Sequence, residues 1–494
     1  MKMKYTKLKY SFLFLFSALL VNSCSDDFVN VDSLDVNSEN YFNSKEDYEA
    51  ALIGAYDLLQ SSYLNVMLGE IASDNTLAGG ESATDVPGIQ EVDNMSHTPL
   101  NAQLRDIWSW MFAGVNRANY ILEFKNKTNF DGKDQILAEA TFLRAYYYFE
   151  LVKWFGDVPL AVDKRISFGD QNVLDRNPKA DVYAQIEIDL QFAAANLPYI
   201  QTEKGRVTKG AAEALLGKAY VYQDKFAEAA TVFDNLIANG PYDLLADYST
   251  MFENDNENNI ESVFEVQYTD IEGAGFGCLQ CSEGNVAVGF NGIRNYTGPL
   301  FESGFSFNIP TQEVVDAFEP GDGRKEVAIL DIEAWASQNS GVSYNEGFEH
   351  TGYYNRKYIA RKGDLNTGDA NLTNPNNYRA IRFADVLLMA AEANNRKSPS
   401  DDSKAQLYLN RVRNRAFGDT DHELILAGAA LTDAIAHERR VELVGEGHHF
   451  FDLVRTGKAA QEIEGFTSGK NELFPIPSIE IELAGNRWSQ NSGY

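Results

Sequence analysis

Apolar and polar positions alternate with a helical period over most of the chain. Residues 44–60 open on Ser44, a helix-capping type, with Asp47 three positions later; Tyr48, Ala51, Leu52, Ala55, Leu58 and Leu59 then recur on one face. Residues 100–124 repeat the pattern with Leu104, Ile107, Trp108, Met111, Val115 and Ile121. Residues 134–155 do so with Ile136, Ala140, Leu143, Tyr147, Leu151 and Trp154, and stop at Gly156 and Pro159, as a helix should. A further helix is predicted over 181–196, before Pro198.

Residues 208–238 carry the most specific spacing. The tetratricopeptide pattern asks for Leu-Gly-x-x-Tyr in one helix, Ala-x-x-x-Phe in the next, and then Pro. Here Leu216-Gly217 is followed by Tyr220, Ala229 by Phe233, and Pro241 falls in register, with Glu213 where the pattern has Trp. A glycine and small alanines let two helices approach, and the aromatics fill the groove between them. Residues 134–155 and 380–416 look like degenerate relatives of this unit, and a stack of such pairs needs about three to bury a continuous core. The fold class predicted is mainly α, a helix-pair scaffold with minor β.

Between 243 and 375 the helical period fades. Residues 260–268 alternate as a strand does. Residues 270–310 are glycine-rich and hold Phe276, Phe290, Tyr296 and Phe301; residues 341–358 hold Tyr344, Phe348, Tyr353, Tyr354 and Tyr358. Long irregular segments in a compact chain are usually functional or disordered, and this aromatic content argues against disorder.

Composition narrows the function classes. Of 494 residues, 42 are Lys or Arg and 72 are Asp or Glu, a formal charge of −30, which makes general phosphate-backbone binding a poor expectation. Residues 1–23 begin with four lysines and continue into a short apolar run at 11–21, too short to span a bilayer but the length of a signal-peptide core. Asn22-Ser23-Cys24 then resembles a bacterial lipobox, with Val21 where Leu is commonest, and Ser25-Asp26-Asp27 is similar to the surface-export signal of Bacteroidetes lipoproteins. Cys24 is the expected lipidation site; a plain secretory signal is the alternative. Cys278 and Cys281 remain, read as a local disulfide stapling a loop, as free thiols, or as a redox or metal pair; the last lacks the second pair that tetrahedral zinc needs.

Other motifs tempt a catalytic reading. His437-Glu438 begins a zincin-type helix, but position 441 is Val. His448 and His449 are adjacent and point apart on any regular element, so no metal site is expected there. Glu438, Arg439, Arg440 and Glu442 are read as a partly buried ion network. Residues 255–259 supply calcium-type oxygens without the calcium-loop pattern and are read as a solvated turn.

The run from His437 through Glu446-Gly447-His448-His449-Phe450-Phe451-Asp452 to Gly457 is joined by Phe474-Pro475-Ile476-Pro477 and the closing Asn491-Ser492-Gly493-Tyr494. Upstream stand Arg379-Ala380-Ile381-Arg382, Asp385, Glu392, Asn410-Arg411-Val412-Arg413, Ala72-Ser73-Asp74-Asn75, Trp108 to Asn116, and Arg144-Ala145-Tyr146-Tyr147-Tyr148. Together these resemble the SusD/RagB family of outer-membrane nutrient-binding lipoproteins of Bacteroidetes, with Ser492 where the family usually has Pro. The resemblance implies a signal peptide over 1–23, a helical region over 24–242, and a C-terminal region over 243–494 containing the loop-rich insertion 243–375. It implies a surface-exposed outer-membrane lipoprotein that captures glycans, without cofactor or catalysis, and passes them to a SusC-like TonB-dependent transporter. By region rather than by matched motif, it points to Asp74, Asn101, Arg105, Phe290, Arg294, Tyr296 and Tyr344 as ligand contacts. Peptide cargo or a pure scaffold is the alternative. A glycoside hydrolase would need two carboxylates at fixed separation, and no catalytic motif is recognisable.

Overall fold

The computed structural model describes residues 41–494 apart from 168, 171–173, 272–274 and 363–370; the signal segment and Cys24 lie outside the described residues. The first helix, Lys45–Asp57, starts on a reciprocal cap. The Ser44 side chain accepts from the Asp47 backbone N–H, and the Asp47 carboxylate accepts from the Ser44 N–H. Leu58–Ser62 then tightens into a 3₁₀ turn before the Tyr63–Ile71 helix.

The Lys133–Phe155 helix is the axis of the fold. It is buried on nearly every face, with Phe142, Tyr147 and Trp154 sealed from solvent, as a helix enclosed by others must be. Ala102–Glu123 and Lys179–Asn196 pack along it. Arg144 links all three helices: its guanidinium donates to both Asp189 carboxylate oxygens at 2.7 and 2.8 Å and to Asn119 Oδ1 at 2.9 Å.

The tetratricopeptide spacing yields the helix pair Lys209–Val221 and Phe226–Asn239, with Phe233 and Tyr220 buried between neighbours. Glu213, at the Trp position, is buried and accepts from Tyr199 OH and Asn235 Nδ2, both at 2.8 Å. Phe383–Arg396 packs next to Phe226–Asn239, followed by Asp402–Phe417 and Gly428–Leu443. A main apolar core therefore runs from Phe42 to Trp488, with smaller clusters around Tyr296 and around Val314 beside it.

Strands are short. Ser262–Val266, within the expected 260–268, pairs antiparallel with Tyr378–Arg382. Thr76–Leu77 pairs with Ile309–Pro310, and Ile329–Asp331 with Tyr353–Asn355. Residues 254–256 form a single 3₁₀ turn before the first of these strands.

The expected ion network is fully rather than partly buried. Arg382 contacts Glu261, Glu442 and Glu446 at 2.7–2.8 Å, Arg415 shares Glu261 and Glu442, and Arg324 reaches Glu438 and Glu442. Burial pushes the Glu442 carboxyl up, but Arg415, Arg382 and Arg324 outweigh it and hold it far below the usual carboxylate range. Arg439 and Arg440 stand apart from this network: Arg439 pairs with Asp385 and Asp452, and Arg440 with Asp74 and Glu313. Among the described residues no helix is long and apolar enough to cross a membrane.

Candidate functional site

A solvent-open cleft of about 690 Å³ lies where the N-terminal helices meet the irregular central segment. Its floor comes from the Tyr63–Ile71 helix, which presents Tyr63, Leu64 and Met67. One wall is a flank of Ala102–Glu123, whose half-buried Gln103 and Asp106 and buried Trp110 are spaced by three and four residues and so share a face. The facing wall is Phe290 with Arg294, Phe305 and Phe307, and the rim is the loop Phe276–Gln280.

The loop of Glu81, Asp85 and Val86 closes one end. Its approach is fixed by glycines. A β-carbon on Gly79 would stand 2.1 Å from the Ser306 carbonyl, and Gly80, at φ +99°, donates its N–H to that carbonyl at 2.8 Å. Asp85 accepts from the Glu81 N–H at 2.8 Å and faces Arg294 at 3.5 Å. Arg294 is further held by the Phe305 carbonyl at 2.7 Å and Ser306 Oγ at 3.1 Å, so its position is set before any ligand arrives. Burial raises the Asp106 carboxyl against the lowering pull of Arg105, and burial likewise raises the Tyr63 hydroxyl.

Rings and polar groups thus converge on one concave surface. Phe290 stacks on Tyr63 at 6.3 Å and meets Phe307 at 5.6 Å; Tyr63 in turn lies 6.2 Å from Trp110. Such a surface can cover the C–H faces of a sugar while amides, carboxylates and a guanidinium hydrogen-bond its hydroxyls. Three carboxylates against one guanidinium leave it electronegative.

Of the seven residues expected at the ligand, Phe290 and Arg294 line this cleft; the other five do not. Asp74 is bound by Arg440 and by His449 Nε2 at 3.0 Å, which together hold its carboxyl low despite burial. Asn101 caps the Ala102–Glu123 helix, accepting from the Leu104 N–H at 3.0 Å and donating to Gly88 O and Glu91. It therefore braces the cleft wall without facing a ligand. Arg105 projects to solvent, 4.0 Å from Asp106. Tyr296 is buried in a second small core, donating to Pro299 O and accepting from Trp335 Nε1, and Tyr344 packs on the same cluster. The loop 340–358 backs Arg294 through Gly347 rather than lining the cleft.

Tyr63, Trp110, Phe276, Gln103 and Asp106 also line it and were not among the seven residues singled out. Their signal is present in the chain: Trp110 lies two residues off the Trp108 core stripe, so it marks a second aromatic face. Cys278 and Cys281 are joined in a disulfide at the rim. His448 and His449 diverge, His448 towards Lys218 Nζ at 3.3 Å and His449 towards Asp74. Among the described residues one carboxylate trio, Asp74, Glu313 and Glu462, is close enough for an ion, and the Arg440 guanidinium already sits on two of its members.

A family model described as the SusD family matches residues 331–494, and one described as starch-binding, associating with outer membrane, matches 27–221. A solved structure titled laminarin binding SusD-like protein superposes with a TM-score of 0.83 at 36% identity, covering 92% of this chain and 100% of that one. Surface glycan-binding protein A from Bacteroides thetaiotaomicron, in complex with laminarihexaose, superposes at 0.80 with 26% identity, over 90% of this chain and 99% of its own. SusD-like protein P2 of Formosa agariphila is 27% identical over 98% of this chain and 100% of its length. With both ends matched by family models and the full helical scaffold shared with a 36% identical relative, the chain belongs to the SusD family.

Proposed function

We propose that the protein captures a neutral glycan at the cell surface, without cleaving it, and delivers it to a SusC-like TonB-dependent transporter while anchored through Cys24. The observation that carries this reading is the cleft itself, which gathers six aromatic rings with Gln103, Asp106, Gln280 and Arg294 in one solvent-open concavity. The laminarin-binding relative and the laminarihexaose complex make a neutral β-glucan the first ligand to try. The electronegative lining disfavours uronate or sulfated chains, because like charges placed together are costly. Phe290 and Arg294 are the sequence-expected contacts retained in this reading.

Affinity electrophoresis against laminarin, starch and alginate, then calorimetry with the ligand that retards the protein, tests it. Retardation by laminarin or starch and not by alginate is expected. Retardation by none of them, with binding of a tryptic peptide digest instead, would replace glycan by peptide cargo. Release of reducing sugar on incubation with the bound ligand would overturn capture without turnover. Pull-down of a TonB-dependent barrel from membranes of the source organism checks the transporter partnership.

A further inference from the structure

The rings of the cleft differ sharply in what they offer a ligand. Tyr63, Trp110, Phe290 and Phe307 are each 9% exposed or less, whereas Phe276 is 61% exposed. The deep rings therefore shape the floor, and most of the open aromatic area belongs to Phe276. The rings also form a series from the interior to the rim: Tyr63 to Phe290 at 6.3 Å, Phe290 to Phe305 at 5.8 Å, and Phe305 to Phe276 at 5.7 Å.

A phenyl ring left in water costs hydrophobic free energy and is usually turned inward. Here it is largely exposed all the same. Gly275 and Gly277 flank it, and a β-carbon on either would stand in open space, so the glycines do not pin the ring, whose ring contact is Phe305. The C-terminal side of the ring is constrained instead. Cys278 and Cys281 are bonded across a Cα separation of 5.4 Å, and the Cys281 N–H donates to the Cys278 carbonyl at 3.3 Å. The cross-link removes loop freedom that stacking would otherwise have to remove.

Resting on the glycan reading above, we propose that Phe276 is a stacking platform at the rim, braced by the Cys278–Cys281 disulfide, that takes a sugar residue further along the chain than those seated over the deep rings. Phe276 thereby selects longer saccharides over short ones. The remaining polar groups fix the sugars at the floor, and the rim ring extends the contact outward.

Calorimetry of purified wild-type, Phe276→Ala, Phe276→Trp and the Cys278→Ser, Cys281→Ser double variant, with laminarihexaose and laminaritriose, tests this. Phe276→Ala is expected to weaken laminarihexaose by about tenfold or more, while laminaritriose, bound over the deep rings more weakly than the hexaose, is unchanged. Phe276→Trp retains the hexaose, and the double serine variant weakens it several-fold. Because the ring is exposed, melting temperatures of the Phe276 variants should match the wild type. Hexaose affinity within about twofold of wild type in Phe276→Ala, or an equal loss for both saccharides, overturns the platform; an unchanged double serine variant overturns the bracing. If the wild type binds neither saccharide, the failure is that of the laminarin-type glycan reading on which the platform rests.

Discussion

Gly217 lies directly under the ring of Phe233, so that a β-carbon on the glycine would stand 2.5 Å from two ring carbons. Phe233 is sealed in the core and cannot swing away. Gly217→Ala is therefore expected to cost about 1–3 kcal/mol by overpacking, only partly offset by the roughly 1 kcal/mol that alanine gains as a helix former. Urea denaturation of Gly217→Ala and Gly217→Val should show loss increasing with side-chain size. A stabilised alanine variant would show that the two helices are further apart than described.

Glu442 receives three arginines at a site closed to water. Removing the carboxylate leaves uncompensated buried guanidinium charge, a change that typically costs about 3–5 kcal/mol. Glu442→Ala should thus lower the urea midpoint markedly or prevent folding, and Glu442→Gln should be milder. Its folded-state carboxyl is depressed, so its contribution is present above the ordinary carboxylate range and disappears only when strong acid protonates it.

Asp93 behaves oppositely. It accepts from the Ala78 N–H at 3.1 Å behind the cleft loop, and burial, with Glu349 nearby, pushes its carboxyl up to about 7. A raised acid disfavours the folded state once charged. Stability should therefore fall as pH rises from the ordinary carboxylate value through 7, then level off. Between pH 5 and 8 the wild type should lose about 2 kcal/mol more than Asp93→Asn, measured by denaturant titration at each pH. Parallel curves for the two proteins would remove Asp93 as the source.

Trp110 and Tyr296 differ in what they line. Trp110 is a deep ring of the cleft and part of the core, so Trp110→Ala should weaken glycan affinity by about tenfold or more and lower the melting temperature as well. Tyr296 lies outside the cleft lining and holds Pro299 and Trp335 together. Tyr296→Ala should lower the melting temperature while leaving calorimetric affinity close to wild type. Loss of affinity in Tyr296→Ala without loss of stability would move the site towards the second core.

The scaffold was readable because its physics is periodic. Leu216, Gly217, Tyr220, Ala229 and Phe233 occupy positions that a helix pair requires whatever surrounds it. The cleft was less readable because its residues do double duty. Asp74 and Asn101 are polar residues beside the cleft, and the chain alone does not distinguish a capping or ion-paired amide or carboxylate from one facing a ligand. Tyr63 follows the 44–60 helix pattern and Trp110 lies off the Trp108 stripe, and neither position alone tells a core ring from a cleft ring. Among the central aromatics, Phe276 and Tyr296 look alike in sequence, yet one is 61% exposed while the other is buried and hydrogen-bonded by Trp335.

The ties from Glu70 to the Gly447 N–H at 2.9 Å and from Asp74 and Asn75 to Arg440 join the segment leading into the cleft to helices encoded hundreds of residues later. A chain that ends before residue 440 lacks these ties, so partial products of synthesis are expected to hold sugar less well than the whole chain.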